Sequence, residues 1–357
     1  MKASVTGASG LIGSHLTRAL HTAGHQARAV VRHGSDLRGL HALAGADVPL
    51  AHADLRDPAG LRTALEGCDT VFHTAAVFAY WDVTVEYLTR VNVAGTRHVL
   101  QAAAQAGVRR AVVTSSSITC GSSEGPTSRD ETGTPGHEYL PDYFVAKLRQ
   151  EQAALVMGEE LGLEVVVACP TIVVGGPDHR LVPSNALITR YLKDPLRTTY
   201  PGGCNIVSVQ DVAAGHLLLA EHGTAGERYV LGGENWTWRT IHRVVSELCG
   251  TTGPWATTSH TAAFLAATLD EMRAHLTAKA PATTRAEART MGRYYWYDHD
   301  KAAALGYAPR PARRALVEAL SWLLTSPHLP PNVRSGLKPV PEVISARELV
   351  AAPLDAL

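Results

Sequence analysis

Apolar positions in the first half of the chain fall into short runs separated by stretches of helical period. Val5 sits in a short apolar run, Leu11 to Ala23 carries apolar residues at helical spacing, and Ala27 to Val31 is rich in β-formers. Leu61 to Leu65 predicts a short helix, and Thr70 to Ala76 a buried strand. Glu86 to Ala106, with Val91, Val93, Val99 and Leu100 at helical spacing, predicts one helix. Ala111 to Ser115 reads as a strand, Tyr143 to Leu161 as a helix, and Glu164 to Ala168 as an all-apolar strand. Strands this short and uniformly apolar, alternating with helices, are buried on both faces, which predicts a parallel sheet. Right-handed βαβ units of this kind build a doubly wound α/β fold.

The rhythm changes after Pro170. Residues 171–205 are rich in Pro and Gly, Asn205 to Val209 predicts a strand, and Val212 to His222 predicts a helix. Ala256 to Arg293 is Ala/Thr-rich and reads as helical; Ala312 to Leu324 reads as an amphipathic helix. The division expected is a first domain over 1–170, with segments returning to it at about 205–225. A smaller, mostly helical substrate lobe then covers 171–204 and 226–325. The tail, 326–357, contains Pro327, Pro330, Pro331, Pro339 and Pro341 and predicts an extended strap or partial disorder.

Charge removes several function classes. The 33 basic and 33 acidic residues among 357 balance, which argues against nucleic acid as a partner because phosphate neutralisation needs an excess of cations. Apolar runs are broken well before the length of a membrane span. Met1 to Val5 enters a strand at once, so no signal peptide is expected. Cys68, Cys120, Cys169, Cys204 and Cys249 are odd in number, scattered and never spaced as a C-x-x-C pair. They predict reduced, buried thiols in the cytoplasm, with no disulfide framework and no metal site. Only six residues are lysine, one of them Lys147.

Candidate chemistry begins at Thr6-Gly7-Ala8-Ser9-Gly10-Leu11-Ile12-Gly13, between the first strand and the first helix. Gly7 permits a tight turn, Gly10 lets backbone approach a pyrophosphate, and Gly13 lets helix and strand pack closely. The helix N-terminus adds free N–H groups and positive potential. The next strand ends at Arg32, where an acidic residue would take the ribose hydroxyls of NAD. Arg32 suits a 2′-phosphate, which favours NADP(H); the alternative is a solvated surface arginine. Asp54, before Leu55, fits the turn that holds an adenine amino group, unless Asp57-Pro58 there simply starts a helix.

Tyr143 and Lys147 stand four apart, on one helix face. An ammonium beside a phenol favours phenolate and predicts a lowered Tyr143 pKa. Ser116 and Ser117, in Thr114-Ser115-Ser116-Ser117, follow an apolar strand where an open α/β sheet presents its ligand crevice; the alternative is an ordinary serine-rich turn.

Together these residues resemble the extended short-chain dehydrogenase/reductase family over roughly 1–325. The resemblance rests on T-G-A-S-G-L-I-G at 6–13, D-L at 54–55, F-H-T-A-A at 72–76 and V-N-V-A-G-T at 91–96. T-S-S-S at 114–117, Y-F-V-A-K at 143–147 and P-T at 170–171 complete it. It implies a Rossmann dinucleotide-binding domain, an α/β doubly wound parallel sheet, contacted by Ser9, Leu11, Ile12, Thr74, Ala75, Ala76 and Pro170 besides the residues above. By the same transfer Ser116 orients the substrate, Tyr143 is the acid/base, and Lys147 lowers its pKa and binds the nicotinamide ribose. Asn92 would tie its helix to the active-site backbone or a relay water. A homodimer through the Tyr-bearing helix is also implied.

Within the family the chain resembles most the dihydroflavonol-reductase-like and hopanoid-associated-epimerase-like branch. A-V-V-R at 29–32, F-A-Y-W-D at 78–82, V-A-A-G-H at 212–216, G-E-R-Y-V-L-G-G-E-N at 226–235 and W-Y-D at 296–298 carry this. Phe78, Tyr80 and Trp81, with Ser117 and Thr171, are the candidate substrate pocket; the three aromatics could equally be lobe-packing core. Trp236, Trp238, Tyr294, Tyr295, Trp296 and Tyr297 read as core. The function expected is NADPH-dependent reduction of a ketone or aldehyde on a hydrophobic, flavonoid-, steroid- or polyketide-like molecule. The alternatives are an NDP-sugar 4-epimerase holding NAD tightly, for which Arg190 or Arg197 would have to meet the diphosphate, and a non-enzymatic dinucleotide sensor.

Overall fold

The computed structural model describes residues 1–136, 139–277 and 279–351. Its first domain places β1 (Lys2–Thr6), β2 (Gln26–Val31), β3 (Leu50–His52), β4 (Thr70–His73), β5 (Arg110–Thr114) and β6 (Glu164–Pro170) in one sheet. The order is β10-β6-β5-β4-β1-β2-β3, where β10 is Arg228–Leu231, and every neighbouring pair is parallel. All four residues of β4 are buried, as are four of the five in β5, as the uniform apolar pattern requires of strands covered on both faces. Chain order reverses between β1 and β4, so a crevice opens at their C-terminal ends.

Helices α1 (Leu11–Thr22), α2 (Arg38–Ala44), α3 (Pro58–Leu65), α4 (Val85–Leu88), α5 (Ala94–Gln105) and α6 (Asp142–Leu161) cover the two faces. Local chemistry sets their ends: Asp57 caps α3 through the Gly60 N–H with Pro58 in the first turn, and left-handed Gly162 ends α6. The single helix predicted over Glu86–Ala106 is broken at Thr89–Val93 by a π-type turn, which carries Asn92. Short-range periodicity cannot show that turn, because what accompanies it is a tertiary contact of Asn92 described below.

The remaining elements are β7 (Ile172–Val174), α7 (Pro183–Lys193), β8 (Thr198–Thr199), β9 (Gly203–Ser208) and α8 (Val209–His222). They are followed by β11 (Glu234–Thr237), α9 (Trp238–Leu248), β12 (Ala256–Thr257), α10 (His260–Thr277), α11 (Arg285–Arg289) and β13 (Tyr294–Tyr295). The chain ends with α12 (Asp300–Ala303), α13 (Ala312–Leu323), α14 (Pro331–Arg334) and α15 (Pro341–Ala351).

These elements correct the lobe boundaries expected from sequence. β9, placed with the first domain, is instead the middle of a second sheet with β11, β13 and β7. Of the segment 205–225, α8 returns to the first domain, packing on α1 and under β5 and β6. Conversely β10, assigned to the substrate lobe, is the outer strand of the main sheet, its Tyr229, Val230 and Leu231 all buried. The second lobe is therefore helices around a small sheet, and the helical stretch expected over Ala256–Arg293 is two helices, α10 and α11.

The tail is not an extended strap over its described residues. Leu329, Leu337, Val343 and Ala346 are buried in the core of the second lobe with Leu316 and Leu320 of α13. Pro331 and Pro341 open helices rather than prevent them, because a first-turn residue has no intrahelical N–H bond to lose. Leu329→Ala is expected to lower unfolding free energy by roughly 2–5 kcal/mol, read by urea denaturation. A loss near zero would show that this segment does not pack on the lobe in solution.

Candidate active site

The glycine loop forms the first wall of the crevice. Gly7 has φ +73°, and a Cβ there would come within 2.7 Å of the Ala75 backbone, so the loop closes on the end of β4 only with glycine. Gly10 N–H donates to Gly7 O at 2.8 Å, and no side chain caps the N-terminus of α1. Gly7, Ser9, Gly10, Leu11, Ile12 and Gly13 line one end of a cavity of ≈ 960 Å³, with Thr74 and Ala76 on its flank. An uncapped helix N-terminus behind a glycine turn suits a diphosphate, so these residues fit the dinucleotide that the motif implies.

The same cavity runs to Ser116, Ser117, Tyr143, Lys147, Pro170 and Thr171. Tyr143 and Lys147 project from the first turns of α6, and Lys147 Nζ donates to the Thr114 carbonyl at 3.0 Å, tying α6 to the end of β5. Ser116 begins the short turn Ser117–Cys120, its Oγ meeting the Ile118 N–H only at 3.5 Å. The Tyr143 ring is stacked on Phe78 with centroids 4.5 Å apart, and Tyr80 meets it edge-on at 5.9 Å.

Electrostatics at this end departs from the expectation. Burial pushes the Tyr143 phenol well above its ordinary value, and no opposing cation offsets it. Burial also lowers Lys147 to about 8, against the smaller opposite influences of Cys169 and Glu151. The expected lowering of Tyr143 by Lys147 is therefore absent: the ammonium is turned to the Thr114 carbonyl and the phenol lies among aromatic rings. Tyr143 holds its proton, which is the state a proton donor needs.

Three buried networks position these groups. Glu151, one turn after Lys147, accepts from Ser115 Oγ at 2.5 Å, Thr119 Oγ1 at 2.9 Å and Arg228 Nη1 at 2.7 Å. Asn92 grips the backbone of Val77 twice, accepting from its N–H at 2.7 Å and donating to its carbonyl at 3.0 Å. That fixes the segment from which Phe78 reaches Tyr143.

The third network runs through His73. Thr96 Oγ1 donates to Asn92 O, so His73 Nε2 must donate to Thr96, and Thr6 Oγ1 then donates to His73 Nδ1. Burial holds His73 neutral, at about 3, with Lys147 acting in the same direction.

Other expected residues sit elsewhere. Arg32 is exposed just beyond β2 and has no carboxylate in ion-pair range among the described residues. Asp54 is paired at the surface: Arg56 binds its two oxygens at 2.8 and 2.9 Å and holds it at about 2. Leu55 packs against Gly95 while its carbonyl accepts from His98. Ala75 abuts Gly7 by its backbone, and Asn92 acts behind the wall rather than in it.

Trp81 leaves the pocket group altogether and packs on His275 of α10, centroids 4.8 Å apart. Sequence reasoning missed the walls supplied by the second lobe, among them Asp178, Arg180, Leu187 and Ala263; Trp238, Tyr295 and Tyr297 pack in the core as expected and also line the cavity. Asp178, Arg180, Leu187 and Ala263 belong to no local motif; only the Pro/Gly-rich change of rhythm after Pro170 marked the region.

A sequence profile described as the NAD dependent epimerase/dehydratase family matches residues 3–232. A Synechocystis sp. protein named, provisionally, a dihydroflavonol 4-reductase is 31% identical over 324 residues, 89% of this chain and 93% of that protein. A Stigmatella aurantiaca protein is 32% identical over 90% of this chain and 96% of its own length. It is named 4-hydroxy-2-methyl-3-oxo-4-farnesyl-3,4-dihydroquinoline-1-oxide ketoreductase. The crystal structure of gox2253 superposes with a TM-score of 0.79 at 33% identity, covering 92% of this chain and 99% of that one.

Glu151→Ala would leave the Arg228 guanidinium without its carboxylate, held only by backbone carbonyls, and is expected to cost roughly 3–5 kcal/mol of stability, measured by denaturant unfolding. A cost below about 1 kcal/mol, the range of exposed pairs, would show that the network carries no load in solution.

Proposed function

The chain belongs to the NAD dependent epimerase/dehydratase family and is an NAD(P)-dependent oxidoreductase of the extended short-chain dehydrogenase/reductase type; we propose that it is an NADPH-dependent reductase of a ketone or aldehyde on a hydrophobic small molecule. The observation that carries this reading is one cavity with a phosphate-type glycine loop at one end and Ser116, Tyr143 and Lys147 at the other. A bound reduced nicotinamide would supply hydride to the carbonyl carbon. The chain's own part is to orient and protonate. Ser116 and Tyr143 hydroxyls bond the carbonyl oxygen, and Tyr143 gives it a proton as the alkoxide forms. Lys147, held by the Thr114 carbonyl, keeps positive charge beside the site and holds the cofactor's ribose.

The cavity wall supports a substrate class. Phe78, Tyr80, Phe144 and Tyr295 from one side, and Ala263, Ala266 and Met291 from the other, favour an apolar, ring-containing ketone of flavonoid, steroid or polyketide type. The reductase and ketoreductase names of two relatives support this. Arg190, the candidate for a sugar-nucleotide diphosphate, is engaged by Glu287 at 2.9 Å and by the Ala282 carbonyl at 2.7 Å. Arg197 donates to Thr251. That weighs against the epimerase reading. NADPH over NADH rests on Arg32, whose exposed guanidinium suits a 2′-phosphate.

Titration with NADPH and NADH separately tests the cofactor. Arg32→Ala is expected to weaken NADPH by about tenfold or more with NADH unchanged, and equal wild-type affinities would overturn the preference. Tyr143→Phe is expected to lower kcat by roughly 10²–10⁴-fold while NADPH affinity holds; intact turnover would mean another proton source. The rate of reduction is expected to fall as pH rises through about 8, where Lys147 loses its charge, and Lys147→Arg should move that limb upward. A rate independent of pH from 7 to 10 would remove the charge of Lys147 from the mechanism.

A further inference from the structure

We propose that Arg180 is a clamp for the cofactor's pyrophosphate, reaching from the second lobe over the glycine loop of the first. The proposal rests on the dinucleotide reading above and adds a residue that no motif marks. Arg180 lies on the loop between β7 and α7, and its Nη2 donates to Ser9 Oγ at 3.0 Å, across 171 positions of chain.

The loop that carries it is held firmly at several points. Asn185, fully buried, donates to the Gly175 carbonyl at 2.7 Å and to Asp178 Oδ2 at 2.8 Å, and accepts from the Gly175 N–H at 3.2 Å. Asp178, also buried, accepts from the Val182 N–H at 2.8 Å, while its carbonyl accepts from His328 at 3.0 Å. His179 meets Trp322 edge-on at 4.8 Å and lies against Gly39 of α2. Leu181 takes a left-handed φ of +53°, a costly conformation for a leucine, maintained by the bonds around it. Between these fixed neighbours, Arg180 stands exposed at the cavity wall with its guanidinium over Ser9.

A neutral hydroxyl is a poor partner for that group. The guanidinium offers five donors in a rigid fork matched to phosphate or carboxylate. Arg180 nevertheless has no carboxylate in ion-pair range among the described residues. The other arginine lining the cavity, Arg190, is neutralised by Glu287. An unpaired guanidinium above a glycine loop and an uncapped helix N-terminus makes the second jaw of an anion site whose first jaw is backbone. Ser9 lies within the Gly7–Gly13 loop, where Gly10 admits the pyrophosphate, so that is the anion Arg180 meets. The 2′-phosphate falls to Arg32 at the end of β2.

The test uses the full-length chain and reads binding rather than turnover. NADPH and NADH are titrated by nicotinamide fluorescence, and ADP-ribose, which keeps the pyrophosphate but lacks nicotinamide, by competition. Arg180→Ala is expected to weaken all three by similar factors, about tenfold or more in low salt, and the deficit should shrink as salt screens the exposed cation. Arg180→Lys, which keeps charge but not the fork, should fall between, and the melting curves of both apo variants check the fold. A loss confined to NADPH would assign Arg180 to the 2′-phosphate and overturn the clamp, as would unchanged affinities. A wild-type protein that bound none of the three would remove the dinucleotide reading itself, an outcome distinct from either.

Discussion

The active-site end of this molecule hangs on one buried carboxylate. Glu151 lies under the cavity floor, only 6% exposed. A carboxylate there is costly to bury unless its lone pairs are used. Two hydroxyls from the serine-rich end of β5 and a guanidinium from β10 use them. The same Arg228 donates to the carbonyls of Glu131 and Gly133, and Glu131 accepts from the Val230 N–H. The outer strand of the sheet, the loop after β5 and helix α6 are thus specified by one set of bonds. Shift any of them and Tyr143, Lys147 and Ser116 no longer share a wall.

That dependence explains which parts of the fold could be read from residues alone. Strands buried on both faces declare themselves by composition, so β1, β2, β4, β5 and β6 stood out without any partner being known. β10 did not, because its apolar run, Tyr229 to Leu231, is only three residues long between Arg228 and the Gly232-Gly233 pair. The π-type turn at Thr89–Val93 was hidden for another reason: Asn92 earns its conformation from Val77, fifteen residues earlier. In the tail, prolines suggest extended chain. Proline at a first helical position loses nothing, and the apolar residues between them, Leu329, Leu337 and Val343, were the better guide.

The candidate site divides along the same line. Tyr143, Lys147 and the glycine loop are legible because spacing of four on a helix, or of three in a turn, places them before any tertiary contact is known. The electrostatics was not legible. A Tyr/Lys pair suggests a lowered phenol, yet burial among Phe78 and Tyr80 raises Tyr143, and Lys147 spends its proton on a strand carbonyl. Neighbours in sequence parted as well: Tyr80 faces Tyr143 whereas Trp81 turns outward to His275. Adjacent residues in an irregular segment share no rule of facing such as a helix or strand imposes.

The balance of 33 acids and 33 bases acquires its meaning from how the charges are paired. Arg38 is taken by Asp36, Arg56 by Asp54, and Arg310 by Asp211 and Glu318. In each case the cation is answered by a carboxylate from within the chain. Arg32 and Arg180 are not so answered among the described residues, and Arg180 lines the cavity. A neutral protein need carry no general attraction for polyanions to present a local cation to one small anion. Net charge sums over the whole surface, whereas a site is built from a few placed groups.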